Sequence, residues 1–268
     1  MQTINTYKAM KKKGEKIAMI TAYDYPSGKF VEEAQVDIIL IGDSLGMVVL
    51  GYEDTLQVSV EDIIHHCKAT RRGAKNTFIV ADMPFMSYHL SLEETKRNAA
   101  RLIIEGNANA VKLEGGSSSR IEAIKAIVDC EIPVIAHLGL TPQSVLQMGG
   151  YKIQGKRESN YIKILEQAKS IEKAGAFMLV LEGIPEKLGK EISETLLIPT
   201  IGIGAGRFTD GQVLVYHDLL GMFDEPPKFV KVYRKMNKEI IDNVKTYVNE
   251  VKSNKFPTKQ HVYFVHEK

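Results

Sequence analysis

Cysteine is nearly absent: the 268 residues contain two, Cys67 and Cys130, and neither sits in a metal-ligand or redox spacing. That excludes a disulfide framework and a cysteine zinc site, and both thiols read as buried apolar fillers. No apolar run approaches the roughly 18 residues that a membrane-spanning helix needs. The N-terminal TINTYKAMKKKG lacks the apolar core of a signal peptide, so a cytoplasmic protein with no membrane partner is expected. Charge of one sign is not in excess either, with 35 Lys and Arg against 33 Asp and Glu and a formal net charge of +2. Lys228, Lys231, Arg234, Lys235 and Lys238 do cluster, but Glu239, Asp242 and Glu250 interrupt them along a stretch with an apolar stripe. That pattern describes a solvated helix face and not a nucleic-acid surface. No low-complexity segment, long internal repeat or proline-rich spacer divides the chain. At 44% hydrophobic it can bury a large core, and one domain spanning 1–268 is expected.

Eight short apolar runs make up much of the rest: 16–22, 37–42, 77–81, 110–114, 133–137, 177–182, 199–204 and 212–217. They are rich in Val and Ile, as strands buried on both faces are. Between most of them lies helical spacing. Leu92, Thr95, Ala99, Leu102 and Ile103 follow a capping box of Ser91 and Glu94, and Ser119 with Glu122 forms a second such box. Further helical stretches cover about 27–35, 60–72, 160–174, 185–196 and the amphipathic tail after Pro227. Eight alternations of strand and helix fit a (β/α)8 barrel better than an open doubly wound sheet, which has fewer strands and an early glycine-rich nucleotide turn. The connection GRFTDG (206–211) is too short for a full helix, so the seventh unit is irregular. Lys11, Lys12, Lys13 and the terminating Gly14 predict an extra N-terminal helix outside the barrel.

In a parallel barrel all strand C-termini open on one face, which makes residues far apart in sequence into neighbours. Three runs end in carboxylates there: Asp43, Asp82 and Glu114. Adjacent strands are about 4.8 Å apart, so side chains at matched heights can reach one ion. Hard oxygen ligands with no Cys or His favour Mg2+ over Zn2+. A lone Asp after a strand is more often a helix cap. Three acids on consecutive strands are harder to dismiss, because their repulsion and desolvation call for a cation. Lys112 supplies part of that charge. Two residues from Glu114, it shares a face with it, and the lumen mouth suits a charged pair better than the helix-covered outside.

A metal held there can chelate the carboxylate and keto oxygens of a 2-oxo acid and stabilise the enolate formed by removing the adjacent proton. Glu182, ending the sixth run, is the acid placed to move that proton; its bland alternative is a salt bridge to a loop lysine. His137, ending the fifth, could hydrogen-bond the developing oxyanion or the substrate carboxylate, or be a satisfied structural histidine. Ser44 can donate to a carboxylate or cap a helix. GIGAG (202–206) reads either as a ligand-approach loop or as tight barrel packing. His65, His66 and His89 have no partner in a ligand spacing.

The segments TAYDYPSGK (21–29), GDSLGMVVLGY (42–52), ADMPFMSY (81–88), VKLEGG (111–116), HLGLTPQS (137–144), GGYKIQGK (149–156), LVLEGIP (179–185) and IGIGAG (201–206), in that order, resemble the ketopantoate hydroxymethyltransferase family. The resemblance covers nearly the whole chain, leaving out only the tail beyond about residue 230. It implies a TIM barrel of the phosphoenolpyruvate and pyruvate type and the first step of pantothenate biosynthesis. In that step a hydroxymethyl group passes from 5,10-methylenetetrahydrofolate to 3-methyl-2-oxobutanoate, giving 2-dehydropantoate and tetrahydrofolate. By motif, Asp43 and Asp82 correspond to Mg2+ ligands and Glu114 completes the metal shell. Ser44 and Lys112 correspond to substrate contacts alongside Asp43, Asp82 and His137, and Glu182 to the proton acceptor. A homo-oligomer, typically a decamer, is also implied.

Two rival readings keep the barrel. An isocitrate lyase or phosphonomutase-type enzyme would also stabilise a 2-oxo acid enolate, but those lyases resemble one another in a K-[KR]-C-G-H loop that this chain lacks. A non-catalytic barrel would have lost one or more of the acids at 43, 82, 114 and 182, and all four are present.

Overall fold

The computed structural model describes residues 2–264, and in it each of the eight apolar runs is a strand. They are β1 (Ile17–Thr21), β2 (Ile38–Ile41), β3 (Phe78–Asp82), β4 (Ala110–Glu114), β5 (Val134–Gly139), β6 (Met178–Glu182), β7 (Thr200–Ile203) and β8 (Gly211–Leu214). All pair in parallel with their sequence neighbours, and β8 pairs back onto β1 to close the barrel. Burial of both faces explains the uninterrupted apolar composition: every residue of β2, β3 and β4 is buried. The expected (β/α)8 architecture is therefore present.

Local signals set the helix ends. Asp24 caps the helix Tyr25–Glu33 by accepting from the Ser27 amide at 2.8 Å, and Pro26 occupies its first turn, where no amide hydrogen is needed. Ser91 caps Leu92–Ile104 by accepting from the Glu94 amide at 3.1 Å. The box at Ser119 and Glu122 is not used: the helix starts two residues earlier than that cap implies, at Ser118, with Ser117 as its cap residue. The eighth run is shorter than expected, because Tyr216 and His217 belong to a helical turn, Tyr216–Leu219. Between β7 and β8 there is no helix. Asp210 closes that connection by accepting from both the amide and the hydroxyl of Thr200, at 2.8 and 2.9 Å.

The helix Ile4–Lys13 ends at Gly14, which has φ of 72°. Its Tyr7 is fully buried and joins the barrel core with Ile17, Met19, Ile38, Phe78, Phe177 and Val213, its ring edge-on to Phe78 at 5.4 Å. The helix thus stoppers the end of the barrel where the strands begin. Cys67 is buried as expected, but Cys130, beyond the end of its helix, is exposed.

The chain divides into two units, Met1–Tyr216, which holds the barrel, and His217–Lys268. Within the second unit the tail helix begins well after Pro227, at Met236–Lys252, and Arg234 pairs with Glu239 at 2.5 Å. Its apolar stripe of Ile240, Ile241, Val244, Tyr247, Val248 and Val251 faces solvent. Among the described residues no helix is long and apolar enough to cross a membrane.

Candidate active site

The barrel register carries the chemistry to one end. Asp82 stands opposite Lys112, Glu114 opposite His137, and Glu182 opposite Gly139. Asp43 lies just beyond β2, and its amide donates to Asp82 Oδ2 at 3.0 Å. Gly139 makes the last of these approaches possible. It has φ of +99°, and a Cβ there would stand 2.1 Å from the Glu182 carbonyl oxygen, which accepts from the Leu140 amide at 2.8 Å.

Of the seven predicted ionisable or polar strand-end residues, Asp43, Asp82, Lys112, Glu114 and His137 are buried, and Ser44 and Glu182 are half-buried. The Lys112 ammonium lies 2.8 Å from Asp82 Oδ1. His137 stands between two carboxylates, Nδ1 3.3 Å from Glu114 and Nε2 3.2 Å from Glu182. Lys112 and Glu114 therefore do share the inner face, as their spacing predicted. Neither Asp43 nor Ser44 serves as a side-chain cap for the short helix Leu45–Val48. The Asp43 carboxylate accepts from Gln143, and the Ser44 hydroxyl shares a hydrogen bond with the Tyr23 phenol at 2.8 Å. His66 supports that side by bonding the Tyr23 carbonyl at 2.6 Å.

The charges are strongly interdependent. Burial, then the neighbouring Asp82 and Glu114 charges, push the Asp43 carboxyl well above its usual range. Burial raises Asp82 as well, against the opposing pull of Lys112. Burial disfavours the Lys112 and His137 cations, but the surrounding carboxylates outweigh it: Lys112 is raised, and His137 is pushed up to about 9. Glu114 is lowered because His137 overcomes its burial. The His137 ring is accordingly expected to show both nitrogens protonated at pH 7.5 in the metal-free protein. Nitrogen-15 NMR of the imidazole checks this, and a neutral-tautomer pattern at that pH would contradict the assigned pairing.

Gln143, Tyr88 and Tyr23 escaped sequence reasoning. Gln143 sits in a 3-10 turn, Pro142–Ser144, directly after β5, and is 5% exposed. The one available signal was Thr141-Pro142, which fixes a turn start after a strand. The glycine-rich 202–206 loop resolves toward packing: a Cβ on Gly206, at φ +86°, would stand 2.4 Å from the Glu186 side chain. Burial holds the Cys67 thiol far above its normal pKa, which removes it as a nucleophile.

A sequence profile of ketopantoate hydroxymethyltransferase matches residues 1–259. The chain is 56% identical over all 268 residues to proteins named 3-methyl-2-oxobutanoate hydroxymethyltransferase from Bacillus cereus, Bacillus thuringiensis and Bacillus anthracis, covering 96% of each. The chain belongs to the ketopantoate hydroxymethyltransferase family. Among solved structures it is similar in fold to a phosphonopyruvate hydrolase complexed with oxalate and Mg2+. That match has a TM-score of 0.63 at 10% identity and covers 99% of this chain and 93% of that one. A 2,3-dimethylmalate lyase gives a TM-score of 0.63 at 13% identity, covering 98% and 92%. At such identities these neighbours speak for the barrel alone.

For a ketopantoate hydroxymethyltransferase, the mouth has the right charge for a divalent ion. With every group ionised, the four carboxylates of Asp43, Asp82, Glu114 and Glu182 face two cations, Lys112 and His137, which leaves two negative charges to be met. Asp82 Oδ1 and Glu114 Oε1 are buried without a hydrogen bond, holding only ionic contacts to Lys112 and His137. Among the described residues no three His, Cys, Asp or Glu side chains form a ready-made cage. The donor set is therefore hard, anionic and open, which fits an ion whose shell is completed by other oxygens.

Proposed function

We propose that the chain, using one water, transfers a hydroxymethyl group from 5,10-methylenetetrahydrofolate to 3-methyl-2-oxobutanoate, giving 2-dehydropantoate and tetrahydrofolate, with Mg2+ held by Asp43, Asp82 and Glu114. The observation that carries the reading is the buried, net-anionic cluster at the strand C-termini of a chain so similar to its named relatives. Bound there, the ion would polarise the keto oxygen of the oxo acid and so acidify the hydrogen on C3.

The chain's own side chains do the rest. Glu182 accepts the C3 proton, and the bonding electron pair is delocalised toward the keto oxygen before C3 attacks the one-carbon unit; both bonds from that carbon to the folate nitrogens break across the reaction, and one water supplies the hydroxyl oxygen. Its side chain is 13% exposed, against 2–5% for Asp82, Lys112, Glu114 and His137, so it is the acid most open to an arriving substrate. Lys112 and Ser44 contact the oxo acid. His137 already faces a carboxylate at each ring nitrogen, and we assign it to orienting Glu182 in place of the substrate contact that its position first suggested. The small-molecule substrates and the relatives' activity support a cytoplasmic enzyme. Assembly as a homo-oligomer, a decamer by resemblance, completes the proposal.

Incubating 3-methyl-2-oxobutanoate with the protein and Mg2+ in heavy water tests it. Proton NMR should show deuterium entering C3, and a chelator should stop it. Exchange undiminished by chelator would remove the ion from the mechanism.

A further inference from the structure

Gln143 makes more specific contacts at the mouth than any residue its sequence motif would single out. Its Nε2 donates to Asp43 Oδ2 at 2.8 Å and to the Met83 carbonyl at 3.0 Å. Its backbone amide donates to Glu114 Oε2 at 3.1 Å. Its Oε1 accepts from the Tyr88 hydroxyl at 2.5 Å, and that same hydroxyl accepts from the Glu114 amide at 3.2 Å.

These bonds admit one arrangement of hydrogens. Asp43 Oδ2 and the Met83 carbonyl are acceptors, so the NH2 end of the carboxamide must face them; the flipped amide would set its oxygen against both. Oε1 is then an acceptor, which commits the single Tyr88 proton to it and leaves a Tyr88 lone pair for the Glu114 amide. The Arg120 guanidinium, 5.0 Å from the Tyr88 ring centre, covers the ring. Gln143, braced by Tyr88, thus holds the Asp43 carboxylate with its side chain and the Glu114 carboxylate with its backbone amide.

We infer that Gln143, locked by Tyr88, is a positioning residue that fixes the Asp43 and Glu114 carboxylates for a divalent cation, an inference that rests on the ion site proposed above. An amide suits the task better than a basic side chain. Lys or Arg in its place would satisfy Asp43 by neutralising it and would compete with the cation, whereas the amide orients one oxygen and leaves the charge in place. The backbone bond to Glu114 survives any substitution short of proline, so side-chain variants isolate the hold on Asp43.

The test is a Mn2+ titration of the full-length protein followed by electron paramagnetic resonance, alongside thermal unfolding of the metal-free protein. Gln143→Met, which keeps length and apolar bulk, should weaken Mn2+ binding by about tenfold, the lower end of the loss seen when an outer-shell partner is removed. Tyr88→Phe removes one hydroxyl and should weaken it about threefold, less than the loss of a direct outer-shell partner because Tyr88 acts through Gln143. Tyr88→Phe carries the test if Gln143→Met does not fold. Mn2+ affinity within twofold of the parent in the folded variants overturns the inference, whatever their melting temperatures, because that result marks a purely structural role. Failure of the parent protein to bind Mn2+ is a different outcome: it overturns the ion site itself, and the inference with it.

Discussion

Glu182→Gln is expected to slow deuterium entry at C3 of 3-methyl-2-oxobutanoate by about 10²–10⁴-fold, the range a positioned general base supplies. Glutamine preserves the shape of the side chain, and its carbonyl oxygen can still accept from His137 Nε2, now 3.2 Å from Glu182 Oε2. What it loses is the ability to take a proton. It also lowers the anionic excess of the mouth by one, so Mn2+ affinity should fall by only a few fold, far less than the exchange rate. The two measurements together separate base from ligand. Exchange within tenfold of the parent would remove Glu182 as the base, and equal losses of exchange and of Mn2+ affinity would move it into the ion's shell. One further consequence concerns His137, whose charged form is supported by both Glu114 and Glu182. With the Glu182 charge gone, its pKa should move down from about 9.

The features that sequence revealed are those with a period or an end. Strands buried on both faces must be apolar throughout, so eight Val- and Ile-rich runs were visible, and in a parallel barrel the residue that ends each run is automatically at the mouth. Asp82, Glu114 and Glu182 are strand-terminal residues for that reason, and Asp43 follows its strand by two. Gln143 and Tyr88 have neither property. They lie on irregular connections, are neutral, and matter only because the chain returns them to Asp43 and Glu114 across 100 and 26 positions of sequence. Caps were legible only where a single polar residue precedes the helix. Ser91 stands alone, but three consecutive serines, Ser117, Ser118 and Ser119, offered competing starts, and the first of them won. Cys130 was misjudged because cysteine's usual burial says nothing about a residue placed just past a helix end.

Asp43→Asn should make the metal-free protein more stable while nearly abolishing its ion binding. The Asp43 carboxyl is raised well above its unfolded range, by burial first and by the Asp82 and Glu114 charges next. The folded state therefore holds a proton there that the unfolded chain has already released. The Asp43 contribution to metal-free stability falls as pH climbs from the unfolded carboxylate range, about 4, toward the folded pKa, and above that the penalty is complete. Asparagine removes the titration and keeps an oxygen for the Gln143 bond at Asp43 Oδ2. Each kcal/mol recovered is worth roughly 2–4 °C of melting temperature in a chain of this size, so a rise of several degrees at pH 8 is expected, with a flatter dependence of stability on pH. Mn2+ affinity should drop by more than about 100-fold, beyond the loss expected when only an outer-shell partner goes. Calorimetric melting across pH 5–9 with and without Mn2+ reads both effects. The parent should gain stability from Mn2+ most strongly at high pH, where Asp43 is ionised and no proton has to be displaced, and the variant should gain almost none. A variant that melts lower than the parent and still binds Mn2+ would mean that Asp43 is held for the sake of the fold, and that the cation is gripped elsewhere.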